Sequence, residues 1–224
     1  MTGFLRVSWW VFLKDLKLEF KTKESLSVMI VFSLLILVIM SFSIPRGRVP
    51  IPFIVPGIFW VAISFAGILG FNRSFTIEEE EEAIKGLLLA PVDRSAIFLG
   101  KFLMNTFLLV LTEAITLLAI IILFNIIPSG SFLFFVLSLF LVTVGFALIG
   151  TLEGALSVKT RAKELMLPLL FFPVVVPIFL SGIKLISPFL GGEQAGTSWW
   201  ITVILFDLLY FFLSLLLFDY ILEE

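Results

Sequence analysis

Six long apolar segments constrain this sequence more than any other feature. Each holds about 20 mostly apolar residues, enough for an α-helix to cross the hydrocarbon core of a bilayer. The predicted spans are Leu26–Ile44, Ile51–Phe71, Phe102–Ile127, Phe132–Val158, Leu165–Ile186 and Trp199–Phe218. Hydrophobic residues make up 60% of the chain and charged residues 14%, whereas a soluble domain is about 45–50% apolar and 25% charged. We therefore expect an all-α polytopic membrane protein, with residues 1–224 in one transmembrane domain.

Lysine and arginine are distributed unequally between the two sides of these spans. Twelve of the fifteen lie before the first span or in the connections after the second and fourth spans. The other side carries only Arg46, Arg48 and Lys184. Because basic loops favour the cytoplasm, both termini are predicted to be cytoplasmic.

The residue types present exclude several kinds of chemistry. The chain has no cysteine and no histidine, which removes the usual ligands of haem iron and transition metals. No segment matches G-x-x-x-x-G-K-[ST], so ATP binding through a P-loop of this chain is not expected. We predict no catalytic residue, no metal site and no cofactor bound by the chain itself.

The segment before the first span, residues 1–25, carries a row of apolar residues at helical spacing, the apolar stripe. The stripe consists of Leu5, Trp9, Phe12, Leu16 and Phe20, with lysines off it. Such a helix lies in the membrane interface, its aromatic residues towards lipid. It is either a simple anchor or an elbow helix that leads into the first span of a transporter.

Five consecutive glutamates, Glu78–Glu82, follow the second span. Thr76 and Glu79 fit a capping box, which predicts that a new helix begins there. Pro91 predicts its end near residue 90, and Asp93 is placed to cap the helix that enters the third span.

The predicted cytoplasmic helix, Ile77–Leu89, has an apolar face bordered by glutamates. Ile77, Ile84, Leu87 and Leu88 share that face at about 100° per residue. This arrangement favours docking into a basic-rimmed groove of a partner protein; the alternative is a solvated helix against the bilayer.

Three carboxylates, Glu113, Glu153 and Asp207, lie within or at the edges of spans. Acidic side chains are costly in lipid and usually face protein or water. They either form a polar seam between subunits or make hydrogen-bonded packing contacts within the chain. Small residues on spans two and four, including Gly70, Gly150 and Gly154, predict close helix packing.

The stretch GIFWVAISFAGILGFNRSFTIEEEEEAIKGLLLAPVDRSAIFLGK, residues 57–101, resembles the cytochrome c maturation protein B (CcmB) family. The resemblance rests on Trp60, Phe65-Ala66-Gly67, Asn72–Phe75, the acidic run, Gly86–Ala96 and Gly100-Lys101. Six spans and the N-terminal segment extend it over essentially the whole chain.

The resemblance implies the permease subunit of a haem-exporter-type ABC complex in a bacterial inner membrane, with an ABC-2-like fold. Loop 72–101 would carry a coupling helix that contacts the cytoplasmic ATPase, CcmA, where ATP and Mg²⁺ bind. The implied contact residues are Phe75, Glu78, Glu79, Glu80, Glu81, Glu82, Ile84, Leu87, Leu88, Pro91, Asp93 and Arg94.

Further implied partners are a second copy of this chain, the haem-handling protein CcmC, the small protein CcmD and the periplasmic haem chaperone CcmE. ATP hydrolysis would be linked to release of the haem-loaded chaperone, and no nucleic-acid partner is expected. The alternatives are the permease of a drug or polysaccharide exporter of the same fold and, less well supported, a secondary carrier.

Overall fold

The computed structural model describes residues 2–44, 50–80, 93–158 and 163–221, and these residues form helices joined by short connections. The helices are α1 Thr2–Thr22, α2 Glu24–Ser43, α3 Ile51–Glu80, α4 Arg94–Phe124, α5 Phe132–Val158, α6 Lys163–Ile186 and α7 Thr197–Ile221, with a 3₁₀ turn at Ser187–Leu190. Six of them, α2 to α7, are long and apolar enough to cross a membrane. The predicted all-helical architecture with six spans is confirmed.

Helices α1 and α2 meet at a sharp bend centred on Lys23. This residue has a φ of 56°, in the left-handed region, so the chain changes direction within one residue. The Leu26 amide, one of the orphan donors at the start of α2, donates to Glu19 Oε1 at 2.8 Å. A side chain of α1 therefore caps α2 across the bend.

Helix α1 confirms that a separate helix precedes the first span. Leu5, Trp9 and Phe20 of the predicted apolar stripe are 62%, 54% and 67% exposed. Phe12 and Leu16 of the same stripe pack instead against the hydrophobic core. The buried side of α1, with Ser8, Val11, Asp15 and Glu19, lies next to this stripe and contacts α4, so the helix packs against the bundle.

Aromatic rings seated on glycines join the central helices. Trp60 of α3 lies over Gly182 of α6, Phe71 of α3 over Gly150 of α5, and Phe146 of α5 over Gly67 of α3. An added Cβ at any of these glycines would lie under 3.0 Å from a ring atom. The small-residue faces are therefore used within the chain at these positions.

The same rings form a continuous aromatic path through the bundle. Phe71 lies 5.3 Å from Phe146, Phe146 lies 4.9 Å from Phe179, and Phe179 stacks on Trp60 at 5.4 Å between ring centroids. Edge-to-face and offset contacts at these separations are attractive. Because the path crosses α3, α5 and α6, it fixes these three helices against one another.

Candidate functional site

A lysine amine is buried where α1, α3 and α4 meet. Lys101, near the start of α4, is 1% exposed. Its Nζ lies 2.9 Å from Asp15 Oδ2 of α1 and donates to the Ser74 carbonyl of α3 at 3.1 Å. A buried ammonium is stable only with such partners, because it has lost its hydration. Lys101 thus ties three helices together through one charged group.

Asp15, the acidic partner of Lys101, is itself 8% exposed. Its second oxygen, Oδ1, lies 3.0 Å from Lys14 Nζ. A cavity of about 30 Å³ adjoins the pair and is lined in part by Glu19, Ser25 and Ser74. Its walls are mixed, because Leu18, Met104 and Leu108 line it beside these polar groups.

Two more contacts lie beside this junction. Arg73 of α3 forms an ion pair with Glu24 at the start of α2, and its Nε donates to Glu24 Oε2 at 3.0 Å. At Gly100, an added Cβ would lie 2.7 Å from the Ser8 carbonyl oxygen and 2.6 Å from Val11 Cβ. Only a residue without a Cβ allows α1 to approach α4 this closely.

We call this set of contacts the elbow junction: Ser8, Val11, Asp15, Glu19, Glu24, Arg73, Ser74, Gly100 and Lys101. It brings together the N-R-S and G-K motifs, which flank the acidic run in sequence. Both motifs stand out in the sequence, but the sequence alone does not pair them with Asp15. The available signal was a lone aspartate off the apolar stripe of α1, which does not identify a partner 86 positions away.

The predicted partner-contacting segment begins inside the described residues and continues beyond them. Phe75, Glu78, Glu79 and Glu80 lie on the last turns of α3. Glu81, Glu82, Ile84, Leu87, Leu88 and Pro91 fall outside the part of the chain that the structure describes.

One prediction for this segment is wrong. Thr76 does not begin a new helix, because α3 runs without interruption from Ile51 to Glu80. The capping-box pattern was outweighed because residues 72–75 contain no proline or glycine to end α3. The contacts of Arg73 and Ser74 at the elbow junction also hold these residues in place.

The prediction for Asp93 is confirmed. Asp93 is the N-cap of α4, and its carboxylate accepts a hydrogen bond from the Ser95 amide at 3.0 Å. Arg94 is the first residue of α4, and its side chain is partly buried.

Glu113 lies deep in α4 and is 2% exposed. Its Oε1 accepts a hydrogen bond from Thr143 of α5 at 2.7 Å. It also lines a groove of about 240 Å³ between α4 and α5, whose other walls are apolar. The hydrogen bond with Thr143 supports the interpretation of Glu113 as a packing contact within the chain. The groove leaves space beside the Glu113 side chain.

Asp207 is a buried carboxylate without such a hydrogen-bond partner among the described residues. It lies on α7, is 9% exposed, and neither of its oxygens has a hydrogen-bond partner among the described residues. The close neighbours of its carboxylate are Gly145 of α5 and Ile178 of α6. Ser214, two turns further along the same face of α7, has a buried hydroxyl that also lacks a hydrogen-bond partner in the described ranges.

Glu153 is half-buried on α5, beside the buried Leu152 and Gly154. The three predicted intramembrane carboxylates therefore lie on three different helices, α4, α5 and α7, and differ in burial and hydrogen bonding. No cluster of three or more potential metal-ligating side chains occurs within the described ranges.

Comparison with known proteins identifies the family. The sequence matches the family described as "CcmB protein" over residues 6–218. It is 28% identical to "Heme exporter protein B" of Rhodobacter capsulatus over 176 residues, covering 77% of this chain and 79% of the relative. The protein of the same name from Paracoccus denitrificans is 24% identical over 83% of this chain and 85% of the relative. The one from Pseudomonas aeruginosa is 24% identical over 75% of this chain and 75% of the relative. With the match covering all six candidate spans, this multi-pass membrane protein belongs to the CcmB family.

Proposed function

We propose that this protein is the membrane-embedded permease subunit of an ABC-type complex for c-type cytochrome maturation. It couples ATP hydrolysis on a separate ATPase to haem handling and to release of the haem-loaded periplasmic chaperone. The observation that carries this proposal is the family match over residues 6–218. The names of the relatives, which describe them as haem exporter proteins, support it.

The chain's own composition supports a non-catalytic role within such a complex. It lacks a P-loop, so ATP and Mg²⁺ bind to the ATPase partner, CcmA. It also lacks histidine and cysteine, the usual ligands of haem iron, so haem is treated as a substrate handled by the complex. The small protein CcmD completes the set of partners.

In this proposal the whole chain is one permease domain with an ABC-2-like fold, which works as a dimer in a bacterial inner membrane. Both termini are cytoplasmic because most of its basic residues flank that side. Helix α1 is then an interfacial elbow helix, and the segment between α3 and α4 contacts the ATPase. The elbow junction supports that assignment because it holds Ser74 and Lys101 on either side of the segment.

The acidic run supplies the test of the ATPase contact. Replacement of Glu79, Glu80 and Glu81 by lysine is expected to remove the ATPase from purified complexes while this chain stays in the membrane. The matched control reverses the terminal pair, Glu223 and Glu224. The measurement is a pull-down from gently solubilised native membranes, with mass spectrometry of the co-purifying proteins.

The outcomes of the pull-down separate the candidate functions. An ATPase together with haem-handling proteins supports the proposal, whereas an ATPase alone favours a drug or polysaccharide exporter. Isolation of the unaltered chain alone favours a secondary carrier. Unchanged ATPase recovery with the triple variant places the acidic run on a solvated face.

For the intramembrane carboxylates, we propose that at least one of Glu113 and Asp207 lines a subunit interface. Asp207 has the stronger support because its oxygens lack partners among the described residues. Intact assembly and cytochrome maturation in both Glu113→Gln and Asp207→Asn would contradict this proposal.

A further inference from the structure

The elbow helix α1 is attached to the bundle through polar contacts that are buried. Its outward face, with Leu5, Trp9 and Phe20, carries large exposed apolar side chains. Its inward face carries Ser8, Asp15 and Glu19, each 9% exposed or less. This distribution is unusual for an anchor, which needs only an apolar face towards lipid and a solvated polar face.

Burial decides how much the Asp15–Lys101 pair constrains α1. An exposed ion pair contributes little and exchanges readily with water. Lys101 and Asp15 are 1% and 8% exposed, so separation of the two groups would leave a charge buried without its partner, which is strongly unfavourable. The pair therefore holds α1 and α4 in one arrangement.

The packing around Gly100 fixes the register of the same two helices. The Ser8 carbonyl and Val11 lie where a Cβ of Gly100 would be. A shift of α1 along α4 would bring these groups against residues that have a Cβ. Two adjacent residues of α4 thus restrain helix α1. Lys101 does so through the ion pair with Asp15, and Gly100 does so through close backbone packing.

Lys101 extends this restraint to α3. Its Nζ also donates to the Ser74 carbonyl, and Arg73, the preceding residue, pairs with Glu24 beyond the bend at Lys23. Movement of the end of α3 relative to the start of α4 would break the Lys101–Ser74 hydrogen bond and remove one of the partners of the buried ammonium.

From these contacts we propose that Asp15 and Lys101 are positioning residues for energy coupling, and that α1 moves with the facing ends of α3 and α4 as one unit. The inference rests on the proposed function, because the ATPase is expected to act on the segment between those two ends. The elbow helix is then part of the transmission between ATPase and membrane, in addition to its role at the membrane surface.

The test uses a neutral pair of substitutions in the intact complex. Single variants such as Lys101→Met leave a buried charge and risk misfolding, so the principal variant combines Asp15→Leu with Lys101→Met. This combination keeps the branching of the Asp15 side chain and the unbranched shape of the Lys101 side chain, and it removes both charges. The control is Lys17→Met, which removes an exposed charge from the same helix.

Four quantities are measured for each variant: stability in SDS, ATPase co-purification, ATP hydrolysis by the complex, and yield of mature c-type cytochrome. The neutral double variant is expected to keep wild-type stability, bind the ATPase and hydrolyse ATP within twofold of wild type. Its cytochrome yield is expected to fall at least tenfold. Lys17→Met is expected to leave all four quantities unchanged.

Two outcomes would overturn the inference. One is a cytochrome yield within twofold of wild type in the neutral double variant. The other is a loss of yield matched by equal losses of stability and ATP hydrolysis, which would show a purely structural pair. If the unaltered chain recruits no ATPase or supports no cytochrome maturation, the proposed function itself fails, and this result is distinct from both.

Discussion

The contact between Trp60 and Gly182 leads to a quantitative prediction about the packing of α3 against α6. An alanine Cβ at position 182 would lie 2.7 Å from both Cε2 and Nε1 of Trp60 and 3.0 Å from Cζ2. Ordinary contacts at a Cβ are 3.4–4 Å. The indole would therefore have to move by about 0.7 Å, the difference from the shorter limit.

Trp60 has little freedom to make that movement. It is 1% exposed and lies between Phe59, at 5.1 Å, and Phe179, at 5.4 Å. Overpacking of this kind costs about 1–3 kcal/mol. The gain in helix propensity from glycine to alanine offsets about 0.5–1 kcal/mol of that cost.

A matched control separates the effect of the clash from the gain in helix propensity. Gly57, on α3, has no heavy atom within 4 Å of the position of an added Cβ. Gly57→Ala and Gly182→Ala gain similar helix propensity, so the difference between them isolates the clash. We expect Gly182→Ala to be less stable than Gly57→Ala by about 1–3 kcal/mol.

The assay is unfolding of the purified protein by SDS in mixed micelles, followed through its five tryptophans. Trp60→Phe, which removes the indole Nε1, is expected to relieve the clash. The double variant should be less destabilised than the sum of the two single variants by about 1 kcal/mol or more. Equal midpoints for Gly182→Ala and Gly57→Ala, or strict additivity with Trp60→Phe, would refute the ring-on-glycine argument.

Three further predictions concern buried polar groups and the start of α4. Thr143→Val is expected to destabilise the protein by about 1–3 kcal/mol, because Glu113 loses a buried hydrogen-bond donor. The control is Thr106→Val, which removes a hydrogen bond within one helix. An equal loss of stability in both variants would contradict the prediction. Asp93→Ala is expected to destabilise the protein by about 0.5–2 kcal/mol through loss of the N-cap, and Asp93→Ser is expected to retain most of the wild-type stability. The measurement is thermal unfolding in detergent, and unchanged stability of Asp93→Ala would contradict the prediction. Asp207→Asn is expected to leave SDS stability equal to or above that of wild type, because it removes an unpartnered buried carboxylate; a loss above about 1 kcal/mol would show that the carboxylate has a stabilising partner.

The number and approximate limits of the six spans followed from sequence because lipid imposes a simple requirement. A spanning helix must be long enough and apolar, whatever its neighbours are. The same local reasoning identified the separate helix before the first span and Asp93 as a cap. The family resemblance depended on residues 57–101, which lie close together in the chain.

Local reasoning failed where a helix end is decided by distant contacts. The pattern at Thr76 and Glu79 fits a helix start, yet α3 continues through it to Glu80. The adjoining residues Arg73 and Ser74 are bonded to Glu24 and Lys101. A helix signal of about 1 kcal/mol is easily outweighed by tertiary contacts of this kind.

The sequence by itself determined that this chain is a multi-pass helical membrane protein, because hydrophobic length is a local property. It also showed which residues are charged within or near the spans. Only the tertiary structure decided how those charges are used. Lys101 is paired with Asp15, Glu113 is bonded to Thr143, and Asp207 lacks a partner among the described residues. The physical reason is that the energy of a buried charge depends on the groups within a few ångströms, and helix packing places those groups there from distant parts of the chain.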